Sequence, residues 1–86
     1  MQPDNTTTAP PLDLAVVIAA VERVIVARRG ACPPIGADTR FDELGLNSLD
    51  FAEAFVTIEE AVGYGLDPES AGDAVVVGDL IGLRPL

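Results

Sequence analysis

Two stretches of the chain carry a regular alternation of apolar and polar positions with no helix breaker inside them, Leu12 to Arg29 and Leu46 to Val62. Elsewhere breakers crowd, at Pro10-Pro11, Gly30, Pro33-Pro34, Gly36, Gly45, Gly63, Gly65, Pro68 and Gly72. In the first stretch Leu14, Val17, Ile18, Val21 and Ile25 recur at three- and four-residue spacing, which places them on one helical face. Asp13 falls in the first turn and Arg28-Arg29 in the last, complementing the helix dipole, and Gly30 is positioned to end the helix. The many β-branched residues would also suit a strand; length and charge placement decide for helix.

The second stretch has a sharper beginning. Ser48 or Asn47 can cap the first free N–H groups, and Asp50 falls in the first turn. Ala52, Phe55, Ile58 and Val62 form the expected buried stripe, with Asp50, Glu53, Glu59 and Glu60 on the remaining surface. Farther on, Asp67-Pro68-Glu69 reads as the start of a short helix. Val75-Val76-Val77 resembles a strand in isolation, but no other segment alternates to pair with it. Val77, Leu80, Ile81 and Leu83 therefore predict a last short helix, despite Gly78 and Gly82. Between the two long helices, Ala31 to Leu46 is a long connection for so small a domain, with Ile35, Phe41 and Leu44 spaced as anchors onto the helices.

Composition narrows the function. The 86 residues suffice for one domain, expected over 12–84, preceded by a polar, aperiodic tail over 1–11 that is expected to be disordered. No apolar run approaches the ~18 residues that a membrane span requires, and the N-terminus lacks the pattern of a secretory signal. Both features predict a cytoplasmic protein, and a monomer is expected. The chain has no histidine, no lysine and one cysteine, which removes the usual zinc sites and acid/base triads. A net charge of −9 opposes nucleic-acid binding and favours a basic protein partner. That charge is unevenly distributed. Residues 1–40 hold four acids and four arginines, whereas Phe41 to Leu83 hold ten acids and no base.

The acidic half begins at Phe41-Asp42-Glu43-Leu44-Gly45-Leu46-Asn47-Ser48-Leu49-Asp50, where a glycine turn delivers a serine to the start of a helix. With Asp38-Thr39-Arg40 before it, this segment resembles the attachment loop of the acyl carrier protein family. The resemblance runs from about Leu12 to Leu83 and includes Val77-Gly78-Asp79-Leu80, which resembles the start of that family's last helix. It implies an all-α, antiparallel four-helix bundle with a long first loop and a short third helix. It also implies that a phosphopantetheinyl transferase attaches 4′-phosphopantetheine, taken from coenzyme A, to Ser48. The arm's thiol would hold acyl or aminoacyl groups as thioesters for a loading enzyme and for downstream biosynthetic enzymes with basic docking patches. Asn47, Leu49, Asp50, Glu53 and Val56 would face those partners. The chain departs from the family at Asn47, where aspartate is usual, which bears on the choice of transferase and on any bridging metal. It departs again at Val76, where a capping Ser or Thr is common, so the last helix is expected to begin loosely.

The residues support the same chemistry independently. A serine hydroxyl is a weak nucleophile without a base, and this chain has no histidine or lysine to serve as one. Activation must come from another protein, so Ser48 suits a substrate of modification and the chain is not expected to be an enzyme or to hold a metal. The plain alternative is that Ser48 is only a helix cap, that the acids are only a solvated face, and that Cys32 is an incidental thiol. The leading expectation is a free-standing carrier of specialised metabolism, polyketide, nonribosomal or aminoacyl transfer. Its rivals are a housekeeping carrier of fatty-acid synthesis and, from another class, an unmodified acidic interaction domain. A small hydrolase using Ser48 is disfavoured by the missing base.

Overall fold

The computed structural model describes residues 12–86, and the expectation for the 1–11 tail lies outside them. Two α-helices carry the architecture, α1 (Leu14–Arg29) and α2 (Ser48–Val62), followed by two 3₁₀ helices at Pro68–Ala71 and Val77–Gly82. The third and last helical segments are thus short 3₁₀ helices of four and six residues rather than α-helices. Among the described residues, β pairing is confined to isolated bridges between Arg40 and Val76 and between Leu66 and Pro85, so the three valines form no strand.

The two long helices run antiparallel, with the end of α1 beside the start of α2: Arg28 meets Asp50 and Arg29 meets Gly45. Asp13 is the N-cap of α1, one position before the first turn where the pattern placed it, and its side chain accepts from the Val16 N–H at 3.0 Å. Gly30 and Gly63 close α1 and α2 in the left-handed conformation, each donating its N–H to a carbonyl four residues back at 2.8 Å.

Val17, Val21 and Ile25 enter the core as their spacing predicts, joined by Ala20 and Val24, while Leu14 and Ile18 are half-buried. In α2 the stripe is rotated from its predicted position. Ile58 and Val62 are buried and Phe55 is half-buried, but Ala54 and Asp50 take the inner positions and Ala52 faces solvent. The rotation follows from packing: α2 turns its 50, 54, 58, 62 ridge toward the core, and a four-residue ridge is the natural fit between packed helices. Val77, Leu80 and Leu83 complete the core from the C-terminal segment, with Ile81 left outside.

The long connection is ordered by its own anchors. Leu44 is buried, and Ile35 and Phe41 pack against the core, Phe41 edge-on to Phe51 with ring centroids 5.2 Å apart. Its backbone is stitched to the start of the last 3₁₀ helix: Phe41 donates to the Val75 carbonyl at 3.0 Å, Val77 to Thr39 at 2.8 Å and Gly78 to Ala37 at 2.9 Å. A Cβ at Gly78 would lie 2.9 Å from the Ala37 carbonyl oxygen, so this approach requires glycine. The last helix does not begin loosely. The Asp79 carboxylate reaches back to the N–H groups of Val75 and Val76 at 2.9 and 3.0 Å, supplying the cap that Val76 cannot.

Candidate functional site: the serine at the start of α2

Gly45, at φ +67°, turns the connection into α2. Leu46 packs inward, Asn47 caps the helix and Ser48 is its first residue. The cap is reciprocal: the Asn47 side-chain oxygen accepts from the Asp50 N–H at 2.9 Å, and Asp50 Oδ2 accepts from the Asn47 N–H at 3.3 Å. Capping therefore falls to Asn47. Ser48 is exposed with its hydroxyl outside this task, which removes the plain explanation for a serine here.

Asp50 corrects a surface expectation. Its carboxylate is 1% exposed, and both oxygens accept from Arg28 Nη1 across the helix pair. The Arg28 hydrogen bond, reinforced by the Asn47 N–H, holds its pKa below the ordinary 3.8 against the opposing effect of burial. Asp50 is thus withdrawn from the faces open to a partner. Arg29 makes a second tie from the same turn of α1, donating from Nη2 to the Gly45 carbonyl at 3.3 Å. A Cβ at position 45 would come within 2.7 Å of that nitrogen, the movable end of a long side chain, so it is the positive φ that calls for glycine there.

The other expected contacts stand outside. Leu49 is 67% exposed and Val56 50%, and Glu53 and Asn47 are exposed on the same helix. The acidic half is tied into the domain by hydrogen bonds even where its carboxylates stay exposed. Six of its ten carboxylates serve as acceptors inside the domain: Asp42 and Glu43 from Arg40, Asp50 from Arg28 and Asn47, Glu59 from Leu66, Asp67 from Glu69, and Asp79 from Val75 and Val76. Asp42, Glu43 and Asp79 stay exposed while bonded, and Glu53, Glu60, Glu69 and Asp73 are exposed without such a bond among the described residues. Nothing in the spacing of Arg28 and Arg29 marked them as belonging to the serine site; a carboxylate at the third position of a capped helix, opposite a basic helix end, is the one signal that pointed there.

An apolar groove of about 450 Å³ lies at the far end of the helix pair, lined by Ala15, Val16, Ala19, Thr57 and Ala61 with Arg23 at its edge. Cys32 is half-buried beside the α1 terminus, and burial pushes its thiol above the usual range, away from the reactive thiolate.

A family model for the phosphopantetheine attachment site matches residues 15–83. The chain therefore belongs to the phosphopantetheine-dependent carrier proteins, whose cofactor is a covalently attached 4′-phosphopantetheine. It is similar to the acyl carrier protein 1, chloroplastic, of Hordeum vulgare, 36% identical over 63 residues. That match covers 70% of this chain but 42% of the relative, so the chain spans less than half of the length of that protein. No solved structure matches significantly. Family membership bears out the resemblance seen in the serine loop. No helix among the described residues is long and apolar enough to cross a membrane.

Proposed function

We propose that Ser48 is the attachment residue and that the chain carries acyl, or aminoacyl, groups as thioesters between partner enzymes. The observation that carries this reading is the exposed hydroxyl on the first residue of α2, left free because Asn47 supplies the cap. The residues fit the group. The first turn of α2 offers N–H groups without intrahelical partners at the positive end of its dipole, which stabilises a phosphodiester by roughly 0.3–1 kcal/mol in an exposed setting. Once attached, 4′-phosphopantetheine supplies the terminal thiol that forms the thioester. Ser48 Oγ supplies the oxygen for the new phosphoester bond as the pyrophosphate bond of coenzyme A breaks and adenosine 3′,5′-bisphosphate leaves, and the serine proton passes to a base on the transferase, since this chain has no histidine or lysine to take it.

Leu49 and Val56, flanked by Glu53, form the surface for the transferase, the loading enzyme and the downstream enzymes: apolar contacts with an acidic rim that suits basic patches. Asn47 in place of the usual aspartate lowers the charge beside the serine and bears on which transferase acts. A cytoplasmic, monomeric carrier of specialised metabolism is the form proposed, with fatty-acid synthesis as the second reading; the name of the Hordeum relative favours an acyl over an aminoacyl cargo.

The test is intact mass. Incubation with coenzyme A and a broad-specificity phosphopantetheinyl transferase adds one phosphopantetheinyl group to the wild type and none to Ser48→Ala. An unchanged wild-type mass would return the chain to an unmodified acidic interaction domain. Addition to the Ser48→Ala variant would move the site elsewhere.

A further inference from the structure

Arg28 and Arg29, adjacent in the last turn of α1, make contacts that bracket Ser48 on both sides. Arg29 reaches Gly45, three residues before the serine. Arg28 reaches Asp50, two residues after it, and Asp50 in turn receives the Asn47 N–H. Neither arginine is near Ser48 in sequence; both arrive by the antiparallel packing of α1 on α2. We infer that Arg28, acting through Asp50 and Asn47 and assisted by Arg29 on Gly45, is a positioning residue that presets the backbone of Ser48 for modification. The inference rests on Ser48 being the attachment residue.

The physical case lies in the burial of Asp50. A carboxylate 1% exposed has given up its water and holds its place only with a cation and donors to replace it. Arg28, whose side chain is 47% exposed, is that cation and occupies both carboxylate oxygens. Without it the carboxylate keeps one backbone donor at 3.3 Å, too little to hold a buried charge, and its gain lies in turning out to water. The Asn47 N–H then loses its acceptor, and the turn that presents Ser48 loosens. A transferase must bring this hydroxyl to its own base, so a preset turn removes a conformational cost from the reacting complex. The competing view makes Asp50 a direct contact for a basic patch on the transferase. Its buried and fully engaged oxygens oppose that view.

The two accounts separate in kinetics. Initial rates of phosphopantetheine transfer from coenzyme A, measured over a range of carrier concentration, would compare the full-length wild type with Arg28→Gln, Asp50→Asn, the double variant and Arg28→Lys. Positioning predicts that Arg28→Gln and Asp50→Asn each lower kcat by about tenfold with little change in KM, a modest case of what misplacing a reacting group costs. It predicts that the double variant is no slower than either single one, and that Arg28→Lys recovers part of the rate. Amide resonances of Asn47 and Ser48 in the unmodified protein shift in each slowed variant while those of the distant Ile58 do not, which separates loosening from unfolding. A raised KM in Asp50→Asn, with Arg28→Gln unchanged or faster, would overturn the inference in favour of direct contact. Wild-type rates in every variant would overturn it as well. A wild type that takes up no phosphopantetheine would instead overturn the attachment reading on which the inference depends.

Discussion

The two ends of α2 are built on different physics. Its first turn is polar and held from outside: a reciprocal cap between Asn47 and Asp50, a guanidinium from α1, and Ser48 and Leu49 turned to solvent. Its last two turns are held by apolar burial, with Ile58 and Val62 at the centre of the core. The chemistry sits where stability is borne by directional bonds, which set an orientation. The stability sits where burial is non-directional and large, and there the surface offers no chemistry. A single helix can therefore present a fixed hydroxyl at one end without weakening the domain, because the two tasks draw on separate residues.

Substitutions can break that division. The largest effect on stability belongs to Ile58→Ala, which removes a fully buried side chain and is expected to cost about 2–5 kcal/mol in chemical denaturation while leaving the fraction of Ser48 modified in the surviving folded protein unchanged. Asn47→Ala removes the cap and is expected to cost about 0.5–2 kcal/mol by the same measurement, but it should slow phosphopantetheine transfer, the reverse pattern. Equal losses of rate in both variants would dissolve the contrast between the two ends.

Acid sharpens the same contrast. Asp50, held by Arg28 and the Asn47 N–H, and Asp79, held by the Val75 and Val76 N–H groups, both have pKa values below the ordinary 3.8. Their contribution to stability is complete above that value and disappears as pH falls through the lower values of the folded state. The denaturation midpoint should therefore hold between about pH 7 and 5 and fall below about pH 4, with Asp50→Asn giving a flatter curve. In acid the Asn47 and Ser48 amides should exchange faster before those around Ile58 do. The smallest stability effect is expected at Leu49→Ala, within about 0.5 kcal/mol because the side chain is already in solvent. If Leu49 contacts the transferase, the same variant raises KM for the carrier without changing the denaturation midpoint.

The comparison also marks which residues were legible in advance. Both long helices, their glycine ends, the anchors Ile35, Phe41 and Leu44, and the serine at the head of α2 could be read from spacing, since each depends on residues close in sequence. The orientation of α2 about its axis could not. Ala52 and Ala54 are equally apolar, and packing against α1 alone chose between them. For the same reason Asp50 read as a surface acid. A carboxylate in a first helical turn suits the dipole whether it points outward or inward, and the guanidinium that drew it in lies 22 residues away.

Charge shows the division most sharply. By sequence alone the chain holds ten acids and no base from Phe41 to Leu83, a serine at the head of a capped helix, and no residue able to activate it. These determine a strongly acidic all-α domain, because composition, periodicity and local caps are properties of neighbouring residues; the carrier role rests on the family resemblance of the serine loop. The tertiary structure decided where that charge points. It buried Asp50, half-buried Glu59 and Asp67, left the other seven acids exposed, and brought two arginines from the electrically neutral first part of the chain to the two sides of Ser48. Hydrogen bonds and ion pairs act over a few ångströms, so which charges meet is settled only once α1 has packed against α2.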